Sequence, residues 1–142
     1  MNKTFGVGIW RDELILLARI MLMLLFLIFG WKKLTDFAGT VGYFTQLGVP
    51  MPGVATAIAV LFELGIGIAL MVGLLTRPLA ILLSIYILGT GLIGHHFWTM
   101  HGMEQFEAEI NFFKNISIIG GLILLYLTGA GRYSVDAKIG LP

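Results

Sequence analysis

Glu63 stands in the segment AVLFELGIGIALMVG, residues 59–73, where every other residue is apolar or glycine. A carboxylate so placed is not a solvated charge at a helix end. It either neutralises a buried cation or takes part in proton or ligand chemistry. Two cations lie in comparable surroundings, Arg19 within LLARIMLMLL and Lys114 within INFFKNISII. An ion near the bilayer centre costs about 2.5–3.5 kcal/mol on insertion scales, so pairing of Glu63 with Arg19, Lys114 or both is the simplest expectation. Other polar residues fall at matching helical spacings. Asn111, Lys114 and Asn115 share one helical face, His95 shares a face with Gly91 and Ser84, and Lys33 follows Arg19 by a spacing that returns to nearly the same azimuth. The expectation is one polar pocket formed by Glu63, His95, Lys114, Asn115 and Lys33, with Arg19 as the intramembrane charge partner. Such a set suits a quinone, because donors reach the carbonyl oxygens and a carboxylate carries protons.

Each of these residues also has a plainer reading. A buried ion pair can do no more than fix helix register. His95 and His96, beside Trp98, can be interface histidines. A transmembrane haem needs histidines from two helices, and the remaining one, His101, lies in a loop. A metal site from the three histidines and the loop glutamates is the weaker alternative, and no metal is expected. Lys32 and Lys33 can anchor a helix end by snorkelling. Gly65, Gly67, Gly120 and Gly121 follow no strand and read as helix contacts, not as a phosphate cradle.

The elements that must carry these residues are set by composition. Of 142 residues, 58% are hydrophobic and 12% charged, against roughly a quarter charged in soluble domains. The mean hydropathy is +0.94. One domain, 1–142, is expected. A net charge of +1 provides no basic face for nucleic acid, and the lack of cysteine excludes disulfides, thiolate metal sites and Cys-x-x-Cys redox cycling by this chain. Four segments, about 14–31, 53–73, 78–98 and 110–128, can each cross the bilayer, which takes roughly 20 helical residues. No small-residue cleavage site closes the first, which is therefore expected to be retained as a span. Alternation suited to a β-barrel is absent. The fold class is all-α, an integral membrane four-helix bundle.

Pro50 and Pro52 end the first loop, Thr76-Arg77-Pro78 makes the second turn, and MHGMEQFEAE forms an acidic third loop. Within the first loop, Leu34, Phe37, Val41, Phe44 and Leu47 form one helical stripe, which predicts a short helix lying in the outer interface. Lys3, Arg11, Arg77, Arg132 and Lys138 fall on one side of the bundle, whereas Lys32 and Lys33 fall on the other. The excess predicts cytoplasmic termini with the first and third loops outside.

The ordered segments ARIMLMLLFLIFGWKKL, FAGTVGYFTQLGVPMP, FELGIGIALMVGLLTRPLA, GHHFWTM, INFFKNISIIGGLILL and TGAGRYSVD together resemble the DoxX family of small membrane proteins, in its short inner-membrane form. The resemblance runs from about Ala18 to Asp136. It implies a four-helix membrane bundle and matches Arg19, Gly30, Lys33, Glu63, Gly73, Arg77, His95, Lys114 and Asn115 to family motif positions. It also implies a link to quinone-coupled redox complexes or to oxidative-stress complexes, with no fixed reaction for the short members.

Three functional classes follow. The first is an accessory subunit of a membrane redox complex that binds quinone or lipid, with no covalent cofactor and without being an enzyme alone. The second is a proton-coupled carrier, for which a bundle this small would have to oligomerise. The third is a non-catalytic membrane scaffold. The partners these imply are membrane lipid, redox subunits and further copies of the chain.

Overall fold

The computed structural model describes residues 7–142. Lys3, counted above among the cytoplasmic cations, lies outside the described residues. Four helices are long and apolar enough to cross a membrane: span 1 (Gly8–Thr35), span 2 (Pro52–Val72), span 3 (Thr76–Thr99) and span 4 (Gly102–Thr128). The described residues contain no strand, so the all-α bundle is the observed fold. Spans 1 and 4 begin earlier than hydropathy indicates. Their first turns are polar, and polar residues remain helical where the chain leaves the hydrocarbon. Span 3 is α-helical over Thr76–Gly94 and then tightens to a single 3₁₀ turn at Phe97–Thr99.

Each connection has a local cause. A ten-residue helix, Phe37–Gln46, occupies the first loop. Asp36 starts it by accepting a hydrogen bond from the Gly39 N–H at 3.1 Å, which satisfies one orphan donor of the first turn. Pro52 opens span 2, where a missing N–H costs nothing. Gly73 closes span 2 in the left-handed region, at φ 74°. Leu75 is also left-handed, at φ 49°, an unusual state for a residue with a side chain. It is held there by contacts described below.

The spans form two close pairs. Span 1 packs along the length of span 2, and span 3 along span 4, while the two pairs touch each other less extensively. All four contribute to one core, with Met23 and Phe26 from span 1, Leu70 from span 2, Ala80, Leu83 and Ile87 from span 3, and Leu122 and Leu125 from span 4. The outward faces carry exposed residues such as Ile85 and Leu124. A bundle in water would bury such side chains, and in hydrocarbon they need no cover.

Span 2 is not a uniform α-helix. Residues Leu61–Ile66 form a π-helical segment, a wider turn that occurs disproportionately at functional sites. Glu63 lies within it. Span 1 approaches this point very closely: a Cβ added to Gly30 would come within 2.8 Å of the Leu64 backbone nitrogen and 3.1 Å of the Glu63 Cβ. Only glycine at position 30 allows that approach.

Candidate functional site

The Glu63 carboxylate is held by two donors from two other spans. Lys33, in the last turn of span 1, reaches Oε2 at 2.6 Å. The Tyr86 hydroxyl, in the middle of span 3, donates to Oε1 at 3.0 Å. The helix C-terminus carries a partial negative charge that favours a cation where Lys33 sits. Phe62, next to Glu63, stacks on the Tyr86 ring with centroids 4.7 Å apart. The Lys33 and Glu63 side chains remain 21% and 13% exposed, so the pair is shielded but open on one side. Carboxylate, ammonium, phenol and an aromatic plane therefore meet at one point.

Arg19 is not a partner of Glu63. Its side chain is only 1% exposed and is spent on main-chain carbonyls at the opposite end of the bundle. Nε donates to Met71 O at 3.0 Å, Nη2 to Tyr133 O at 2.6 Å, and Nη1 to Ala130 O. Met71 follows Glu63 by eight residues, about 12 Å along a helix, which puts the carboxylate out of reach. Met71 O lies in the last turn of span 2, and Ala130 O and Tyr133 O lie in the non-helical segment after span 4, so none has a donor within a helix ladder. The guanidinium fork satisfies three at once.

The same end is closed by the segment after span 4. A five-residue helix, Val135–Ile139, is capped by Ser134, whose Oγ accepts from the Ala137 N–H. Its Asp136 carboxylate accepts hydrogen bonds from the Leu75 N–H at 2.7 Å and the Thr76 N–H at 2.9 Å, and the Asp136 N–H donates to Gly73 O at 2.8 Å. Asp136 thus caps span 3 from a distant part of the chain and explains the left-handed Leu75. Burial alone would push this carboxyl up. The Thr76 and Leu75 N–H groups and the Arg19 charge outweigh it and hold Asp136 below the ordinary carboxylate range.

The remaining predicted residues gather elsewhere. Asn115 donates from Nδ2 to Ile87 O at 3.3 Å, inside the contact between spans 3 and 4 and beside Gly91. His95 is half-buried at the end of the span 3 α-helix, with its N–H bonded to Gly91 O. Lys114 is exposed and donates to Asn111 Oδ1 at 2.8 Å. It forms no ion pair with Glu63, whose partner is Lys33. Of the predicted pocket residues, only Lys33 and Glu63 are brought into contact. Among the described residues no three His, Asp or Glu side chains come together as a metal-ligand set.

Sequence reasoning missed Tyr86 and Asp136. Tyr86 is the one phenol inside span 3 (its neighbours read SIYIL), and a lone hydroxyl at mid-span is a sign that a polar partner faces it. Asp136 sits two residues after Ser134, an N-cap pattern in plain view, but its acceptor role lies 60 residues away.

A family model described as DoxX matches residues 14–102, a stretch that contains Arg19, Lys33, Glu63, Tyr86 and His95. The chain is 47% identical over 136 residues to the inner membrane protein YphA of Escherichia coli strain K12, covering 96% of this chain and 97% of that protein. It is 38% identical over 139 residues to the inner membrane protein YqjF of the same strain, covering 96% and 95%. A shorter likeness, 33% over 67 residues, links 47% of the chain to 22% of the ER-derived vesicles protein ERV29 of Saccharomyces cerevisiae. No solved structure matches.

Proposed function

We propose, given that the chain belongs to the DoxX family of inner-membrane proteins, that it is an accessory subunit of a quinone-linked membrane redox complex, with the quinone headgroup taken by Glu63, Lys33 and Tyr86. The observation that carries this reading is the double grip on Glu63, from two spans, at a π-helical turn left partly open. Lys33 and Tyr86 are donors suited to quinone carbonyls, Glu63 can exchange the accompanying proton, and the Phe62–Tyr86 stack offers a ring face. The chain has no cysteine, so thiol chemistry belongs to a partner.

Extraction in mild detergent followed by mass spectrometry tests the reading, because it reports lipids and subunits together. Quinone at near-stoichiometric amounts is expected in the wild type. Tyr86→Phe keeps the ring stack and removes one donor. It is expected to lower quinone content roughly fivefold, in line with a hydrogen bond of about 1 kcal/mol, with a small drop in melting temperature, since Glu63 loses one donor and keeps Lys33. A wild-type protein free of quinone and of redox subunits would overturn it.

The distribution of lysine and arginine supports cytoplasmic termini. Reporter fusions at the C-terminus and after Arg77 are expected to read cytoplasmic, and fusions within GMEQFEAE external. An external C-terminus would reverse the assignment.

A further inference from the structure

We propose that the exposed face of span 4 between Glu109 and Lys114 binds the headgroup of a phosphoethanolamine lipid. A shallow, open concavity of about 570 Å³ lies there, lined by Phe106, Glu109, Ile110, Phe113, Lys114 and Ser117. All but Glu109 and Lys114 are uncharged, and Phe106, Ile110 and Phe113 are exposed. The two charges have no salt-bridge partner among the described residues, where the salt bridges are Lys33–Glu63 and Arg11–Asp12. The hydrogen bond of Lys114 goes to the neutral Asn111, one turn nearer the third loop. That is the direction in which a lysine on a lipid-facing helix snorkels. The Asn111 amide nitrogen is left to donate to a second acceptor.

The order of the charges selects the lipid. Glu109 precedes Lys114 by five residues, about 7.5 Å along the helix at ~1.5 Å per residue. The carboxylate therefore lies nearer the aqueous end of the span and the ammonium deeper. At about 100° per residue the two flank the stripe Phe106, Ile110, Phe113 and Ser117 on opposite sides. A phosphoethanolamine headgroup has the complementary order. Its ammonium is outermost and meets Glu109, and its phosphate lies next to the acyl chains and meets Lys114 and Asn111. The acyl chains continue along Phe113 and Ser117 toward the bilayer centre. A phosphoglycerol lipid would satisfy Lys114 and leave Glu109 unmet. A phosphocholine lipid carries a quaternary ammonium with no N–H to donate to the carboxylate. This match holds for either orientation of the bundle in the membrane and is independent of the Glu63 site.

The test is lipid retention by the full chain in native mass spectrometry, after reconstitution in bilayers holding equal amounts of phosphatidylethanolamine, phosphatidylglycerol and phosphatidylcholine. The wild type is expected to retain phosphatidylethanolamine roughly fivefold over each of the others, the scale of one exposed ion pair. Lys114→Gln should lower retention of all three lipids while leaving phosphatidylethanolamine ahead, because Lys114 meets the phosphate they share, and Lys114→Arg should keep wild-type retention. Glu109→Gln should shift the preference to phosphatidylglycerol. Both positions are exposed, and unchanged melting temperatures would show intact folding. Equal retention of the three lipids by the wild type would overturn the proposal, as would a Glu109→Gln protein that still favours phosphatidylethanolamine.

Discussion

Arg19→Met is expected to be the most damaging single substitution in the bundle. The guanidinium satisfies the carbonyls of Met71, Ala130 and Tyr133 and supplies positive charge beside the buried Asp136. Removing it leaves three acceptors without donors and an anion without its counter-charge. A broken buried charge network costs about 3–5 kcal/mol, which for a chain of this size lowers the melting temperature on the order of 10 °C. Arg19→Lys should recover little, because a single ammonium cannot serve three carbonyls in a planar fork. Thermal unfolding in detergent measures the loss, and limited proteolysis after Gly129 localises it. An Arg19→Met protein with wild-type melting and a protected C-terminal segment would show that the three bonds are dispensable.

Glu63→Gln is expected to come second. The change keeps the shape of the side chain and removes its charge, leaving the Lys33 ammonium in a partly shielded place. Because both side chains retain some access to solvent, the cost is set below that of a fully buried pair, at about 2–3 kcal/mol. Adding Lys33→Met should restore most of the folded yield. Adding Arg19→Met or Lys114→Met should not, since neither side chain touches Glu63. The double variant also separates the site from a scaffold. If the charges serve only to fix helix register, the Glu63→Gln, Lys33→Met protein recovers both folding and physiological activity. If they bind quinone, it folds and carries none.

The four spans were legible because hydrophobic length is a property of each segment alone. Glu63 faces inward, as a charge in an apolar segment must: Ala59 and Gly67, small residues one turn to either side, are buried. The partner of Glu63 was legible only in part: Lys33 was expected in the same pocket, but the ion pair was expected with Arg19 or Lys114. Lys33 lies two residues beyond the hydropathy limit of the first span, so it reads as a loop anchor, although the helix continues to Thr35. Arg19 misled for a different reason. Charge counting pairs a cation with an anion, whereas Arg19 is neutralised by main-chain carbonyls that have no signature in residue type. The π-helical turn at Leu61–Ile66 was equally hidden, since it depends on how closely Gly30 lets span 1 approach.

The clasp at Arg19 also bears on how the chain is made. The residue belongs to the first span to leave the ribosome, while two of its three acceptors lie 111 and 114 residues later. During synthesis the guanidinium must therefore wait in or near the membrane without them, held by water, lipid headgroups or an insertion factor. Closure of the bundle cannot precede arrival of the last dozen residues. A chain arrested before Ala130 would expose an uncompensated arginine in its oldest helix, a mark by which a membrane quality-control protease could tell unfinished molecules from finished ones.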